Sequence, residues 1–233
     1  GDMEIDSADG VSVIIAAHNE GAVIRQCLMS LEEGLGSAPL DIVVVANGCT
    51  DDTAEVAAAH PGVRVVVRRE PGKSPALNAG DAVARYPSRI YLDADIVLAR
   101  GSVHQLGAAL RMPPDRDVCV PRRVVSVLGR PWTVRAYYTI QTRLPVFDQS
   151  LFGRGLVALD PEGRARFAHF PEVVADDLFL DSLFGPEERM LVHEVCTSVE
   201  APRTTAALLR RLVRVRRGNR ELRALEGLQS RPI

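Results

Sequence analysis

Lysine is almost missing from this chain: Lys73 is the only one, and every other residue in the Lys+Arg total of 28 is arginine. A general preference for arginine explains the arginines but not the single lysine kept inside GKSPALNAG (72–80). Lysine presents a compact point charge on a flexible stem where arginine presents a wide fork, so Lys73 is a candidate site residue. Cysteine is also scarce. Cys27, Cys49, Cys119 and Cys196 lie far apart, with no CxxC and no Cys/His ligand spacing, which argues against a zinc or dithiol motif and for reduced, buried thiols in a cytoplasmic setting. No apolar stretch reaches the roughly 18 residues of a bilayer-spanning helix, and no signal-peptide pattern is seen. At most a peripheral contact with the inner membrane face is expected. The net charge of −2 offers no general attraction to nucleic acid.

What is present is the makings of a folded α/β chain. The 233 residues are 46% hydrophobic and 25% charged, the balance of a globular protein with a sizeable core. Residues 1–10, opening Gly1-Asp2-Met3, are expected to be a tail, and 11–228 one domain, with a first half at 11–98 and a second at 99–228. Short bounded apolar runs predict buried strands at 11–17, 42–46, 63–67 and 90–92. Between them, helices are expected at 21–35, from Thr50 or Asp51 to about His60, and from a Ser74 cap with Pro75 at its first position. That rhythm means βαβ units and a parallel sheet, whose ligands bind beyond the carboxyl ends of the strands. Asn19, Asn47, Asp93 and Asp95 all fall at such ends. The later part predicts helices at 101–111, 132–147, 174–184 and 204–228, and strands at 118–120, near 159 and at 190–199.

The most telling run is RIYLDADIVL (89–98). If Asp93 and Asp95 continue a strand, they project to one side, with the small Ala94 between them. Two carboxylates held that close are costly without a cation, and Mg²⁺ or Mn²⁺ is commonly held by one or two carboxylates plus substrate phosphates. A third protein ligand is not evident; His169 and His193 are weak candidates. Asp176 and Asp177 open DDLFLDSLF, where acidic residues suit a helix start and a paired carboxylate also suits a general base. Gly153-Arg154-Gly155 predicts a loop allowing close approach to backbone.

In order and spacing, VSVIIAAHNE (11–20), DIVVVANGCTDDT (41–53), GKSPALNAG, the DAD, FGRGLVAL (152–159), VVADDLFLDSLF (173–184) and RRLVRVRRGNREL (210–222) resemble family 2 glycosyltransferases of the GT-A fold. The resemblance implies a Rossmann-like, mostly parallel sheet flanked by helices, with a smaller acceptor-side subregion. It implies an inverting transfer from a nucleotide-diphosphate sugar, UDP-linked before GDP-linked, to a hydroxyl of a saccharide, lipid-linked or small-molecule acceptor. By that likeness Asp95 and Asp93 hold the metal, and Asp177, paired with Asp176, is the base. The donor site it implies is drawn from Ala17, Asn19, Glu20, Asn47, Lys73, Asn78, Asp93, Ala94, Asp95, Gly155, Arg214 and Arg217.

Several positions depart from the family pattern. Ala16 replaces a frequent proline, Ala46 and Asn47 replace two aspartates, Asp176 replaces a glutamate, and Gly218 stands where QxxRW has tryptophan. The last departure speaks against a processive polymer synthase. Two other readings remain open on sequence: a nucleotidyltransferase, which also uses a parallel sheet and carboxylate-bound metal, and a nucleotide-sugar-binding protein without turnover.

Overall fold

A computed structural model describes residues 9–33, 38–112, 117–148, 150–172 and 175–229. The elements are β1 (Val11–Ala17), α1 (Ile24–Met29), β2 (Leu40–Asn47), α2 (Thr53–Ala58), β3 (Val63–Arg68), α3 (Lys73–Val83), β4 (Ser88–Leu92), α4 (Ser102–Leu110), β5 (Val118–Ser126), α5 (Trp132–Gln141), α6 (Pro145–Asp148), β6 (Leu156–Leu159), α7 (Pro161–Ala165), α8 (Asp176–Leu183), β7 (Arg189–Glu200) and α9 (Thr205–Gln229). A 3₁₀ turn at Pro186–Glu188 precedes β7.

The seven strands form one sheet in the order β3-β2-β1-β4-β6-β5-β7. The first four are parallel, β6 runs antiparallel to both neighbours, and β5 pairs with β7 in parallel. Both faces of the sheet are covered, which is why its central strands read as unbroken apolar runs. In β1, Val11, Val13, Ile15 and Ala17 pack with Ile24, Cys27 and Leu28 of α1. Ile14 points the other way, into Ala76 and Leu77 of α3 and a cluster with Tyr91, Phe167 and Phe170.

Helix α3 is pressed onto β1 through Gly80. A methyl group there would lie 2.4 Å from Ile14 Cγ2 and 3.3 Å from Val45 Cγ2. Gly80→Ala is therefore expected to cost about 1–3 kcal/mol by overpacking, seen as a lower urea midpoint at unchanged m-value.

Three expectations need correction. The first helix is a short α1 flanked by turns, not 21–35. Helix α3 begins at Lys73 with Gly72 as its cap, so Ser74 is a buried residue of the first turn and Pro75 sits third. The 132–147 stretch is broken after Gln141 into α5 and α6. The short α7, capped by Asp160 accepting from the Gly163 N–H, was not foreseen. Of the expected helix 174–184, Val174 lies outside the described residues. Among the described residues no helix is long and apolar enough to cross a membrane.

Candidate active site

The site is built at the carboxyl ends of β1, β2 and β4, where the parallel order leaves loops facing one another. The loop after β1 is tied to the loop after β2. Asn19, left-handed at φ 52°, accepts at Oδ1 from the Thr50 N–H at 2.8 Å. Gly21 N–H donates to Asp51 and Glu20 N–H to Thr53. Asn47 is buried: its Nδ2 donates to the Ala17 carbonyl at 2.9 Å and its Oδ1 accepts from the Gly72 N–H at 3.0 Å. That amide pins the start of α3, and with it Lys73, to the strand ends.

Asp93, Ala94 and Asp95 lie just past β4 in a turn closed by the Ile96 N–H to the Asp93 carbonyl, 3.1 Å. Strand alternation therefore does not explain their convergence; the turn does. A second anchor is the Asp93 N–H to the Gly155 carbonyl, 2.9 Å. Partial burial, then the Asp93 charge, raises the Asp95 carboxyl above its ordinary range. Partial burial, then Asp95 and Asp93, does the same to Glu20. An added cation would relieve both. Cys27 lies beneath the turn, where burial and then the two aspartates push its thiol up to about 12, so it is no nucleophile at neutral pH.

Two spaces meet at Lys73 and Asp93. The open one is a cleft of about 400 Å³ lined by Ala16, His18, Glu20, Asn47, Pro71, Gly72, Lys73, Asp93, Ala94 and Asp95, within the usual range for small-molecule sites. The other is a recess of about 30 Å³, whose lining includes Lys73, Tyr91, Asp93, Gly155, Asp176 and Asp177. Lys73 Nζ sits 2.8 Å from Asp93 and 3.2 Å from Asp176. Its surroundings hold it protonated: Asp176 and then Asp93 outweigh the desolvation that acts the other way.

Asp176, in the first turn of α8, is pushed up to about 6, chiefly by burial; Lys73 opposes this, and Asp177 and Asp93 add to it. A carboxyl that holds its proton more tightly folded than unfolded stabilises the fold below the ordinary carboxylate range and loses that contribution as pH rises through about 6. Wild type is therefore expected to lose stability relative to Asp176→Asn as the pH rises from 4 to 6. Urea titrations at four pH values read this directly.

Asp177 is half-buried. Its Oδ2 accepts from the Gly153 N–H and its Oδ1 from the Leu178 N–H, both at 2.9 Å. The glycines of its loop serve different needs. Gly153 and Gly155 have φ 70° and 73°, where side chains are strained. A methyl group on Gly155 would also strike Ile96 at 2.6 Å, so that glycine is required by the protein's own packing. Arg154 between them is a buried strut, donating to the Ser150, Pro121 and Phe147 carbonyls.

Not every candidate reaches the cleft. Ala17 is buried, and its carbonyl accepts from Asn47 Nδ2 and the Cys49 thiol. Asn78 is locked to the Phe170 backbone, Nδ2 to its carbonyl at 3.0 Å and Oδ1 from its N–H at 2.8 Å. Arg217 is exposed and pairs with Glu221 one turn on, and Arg214 is exposed on the same helix. Gly218 is buried there because α9 crosses α8, a methyl group on it lying 2.9 Å from Leu178 Cδ1, so a larger side chain would have to displace Leu178. His169 and His193 are exposed, and among the described residues no group of three His, Cys, Asp or Glu could hold a metal.

Some neighbours of the site were not foreseen. His18 takes a hydrogen bond position 2.8 Å from the Asn47 carbonyl. Arg123 and Arg211 flank Gly153. For Arg211 a signal existed in its spacing with Val215, Gly218 and Leu222, one face of α9; for Arg123 there was none.

Comparison with known proteins agrees with this architecture. The glycosyl transferase family 2 profile matches residues 12–158, from β1 through the greater part of β6. An uncharacterized glycosyltransferase of Mycobacterium tuberculosis is 34% identical over 149 residues, which is 61% of this chain and 65% of that protein. Among solved structures, a Pyrobaculum calidifontis mannosyltransferase in complex with GDP-Man and Mn²⁺ superposes with TM-score 0.63 at 23% identity, covering 81% of this chain and 56% of the other. Glucosyl-3-phosphoglycerate synthase of M. tuberculosis, bound to Mn²⁺, UDP and glucosyl-3-phosphoglycerate, gives 0.62 at 21% identity, covering 91% and 79%. The sheet, its helices and its strand-end cleft are those of the GT-A fold, and the chain belongs to glycosyl transferase family 2.

Proposed function

We propose that this chain is a metal-dependent, inverting glycosyltransferase that moves a sugar from a UDP-sugar, or secondarily a GDP-sugar, to a hydroxyl acceptor. The observation that carries the reading is Lys73, bridging Asp93 of the cleft and Asp176 of the recess. It joins a space of nucleotide size to a narrow space lined by carboxylates. The donor diphosphate belongs in the open cleft against the DAD turn, and the reacting sugar belongs at the mouth of the recess.

The hard oxygen donors of Asp95 and Asp93 suit Mn²⁺ or Mg²⁺, and the raised Asp95 carboxyl is an anion in want of a cation. The metal, when bound, supplies Lewis-acid neutralisation of the departing diphosphate. Lys73 adds a fixed positive charge next to the same group. Asp177 takes the proton from the acceptor hydroxyl as its oxygen attacks the anomeric carbon, while the bond from that carbon to the diphosphate breaks on the opposite face. The Gly153 and Leu178 N–H groups hold the Asp177 carboxylate in one orientation. Each oxygen keeps a lone pair for the incoming hydroxyl. The Mn²⁺, UDP and GDP-Man in the two structural neighbours support the choice of metal and donors.

A panel of nucleotide sugars with Mn²⁺ tests the reading. Release of UDP or GDP is expected. Pyrophosphate released from a nucleoside triphosphate indicates a nucleotidyltransferase instead, and binding without turnover a non-catalytic protein.

A further inference from the structure

The register of β5 against β7 shifts between Pro121 and Arg122, where proline cannot donate to the ladder. Beyond that shift, Arg123 faces the loop before β6. Arg211 reaches the same loop from α9, along the face that packs on α8. A methyl group on Gly153 would lie 3.0 Å from Arg123 Nη1 and 3.2 Å from Arg211 Nη2, so two guanidinium groups converge on one residue. Arg123 also donates toward the Gly153 carbonyl at 3.5 Å, and Arg211 contacts the Tyr138 hydroxyl at 3.4 Å. The Tyr137 hydroxyl is within reach of both charges, which oppose the burial that raises it. Gln141 donates to that hydroxyl, and its own Oε1 is buried without a protein partner. Arg123, Arg211 and Tyr137 are all half-buried.

The N–H of this same Gly153 is bonded to Asp177. We propose that Arg123 and Arg211 form an acceptor subsite for a phosphate or carboxylate group, so that the acceptor is an anion whose reacting hydroxyl lies within a few bonds of that group. Guanidinium forks suit such planar or tetrahedral oxyanions. The subsite rests on the glycosyl-transfer reading only in calling its ligand an acceptor; the anion site itself stands apart from it.

The test titrates inorganic phosphate and glycerol 3-phosphate, by calorimetry, into protein already saturated with UDP and Mn²⁺. Binding is expected in wild type, about tenfold or more weaker in Arg211→Gln and in Arg123→Gln, and unchanged in Arg220→Gln on the exposed part of α9. Arg211→Gln keeps the question open to refutation if the strand variant does not fold. A parallel arm sediments the protein with vesicles carrying a long-chain alkyl phosphate: Arg211-dependent pelleting without soluble binding identifies a lipid phosphate as the source. Equal phosphate affinity in wild type and Arg211→Gln overturns the subsite. So does phosphate binding that UDP abolishes, since the arginines would then belong to the donor. Failure of UDP itself to bind counts against the transferase reading and leaves the phosphate titration to be run without it.

Discussion

Asp177→Asn is expected to lower kcat by about 10²–10⁴-fold, the usual worth of a positioned general base, while nucleotide affinity stays within about twofold. Asparagine is nearly isosteric, and its Oδ1 can still accept from the Gly153 N–H that Asp177 Oδ2 holds at 2.9 Å, so the loop keeps that anchor while the bond from the Leu178 N–H is given up. What is lost is the capacity to take the acceptor's proton. Steady-state kinetics with the donor identified by the panel, alongside calorimetry with UDP, separate the two quantities. A kcat close to wild type removes Asp177 from the chemistry. A parallel loss of UDP affinity shows instead that the residue supports the donor cleft.

Asp95→Ala is expected to act on the other half of the reaction. Donor affinity in the presence of Mn²⁺ should fall by about 100-fold or more, and adding Mn²⁺ should no longer raise it, because a carboxylate that would hold the ion is gone. Asp95 lies in a turn past the end of β4, outside the packed core, so folding stability should change little. The neighbours offer an internal check. Removing the Asp95 charge lowers the repulsion on Glu20 and Cys27, so the Glu20 carboxyl should move toward its ordinary range. Mn²⁺-dependent affinity that survives the substitution places the metal elsewhere.

Much of this architecture was legible in the sequence because both faces of the sheet are buried. The runs VSVII and IVVV can satisfy neither a helix with a polar face nor a half-exposed strand, and their short, bounded length decided for buried strands at β1 and β2. The cleft followed from topology, since strand ends in a parallel sheet share one side. The finer placement did not follow, for reasons that differ by residue. Asn47 and Asn78 are polar residues at expected site positions, yet their amides are occupied by backbone groups that only the folded loops bring near. Asp93 and Asp95 converge through a turn, which the apolar run before them conceals. Arg214 and Arg217 matched a family spacing, but α9 turns them outward and brings Arg211 in, because Gly218 sets the face that meets α8. Arg123 depends on a register shift far along β5, a long-range feature with no local signal.

The central claim is that Asp93, Asp95 and Lys73 hold the diphosphate of a donor in the open cleft, while Asp176 and Asp177 face its sugar from the adjoining recess. It is tested most directly by a crystal grown or soaked with UDP and Mn²⁺ and measured for anomalous scattering from manganese. The account predicts one strong peak between the Asp95 carboxylate and the diphosphate, with the uridine in the cleft beside Asn47 and Gly72. A manganese peak away from the DAD turn, or a nucleotide bound outside that cleft, contradicts it.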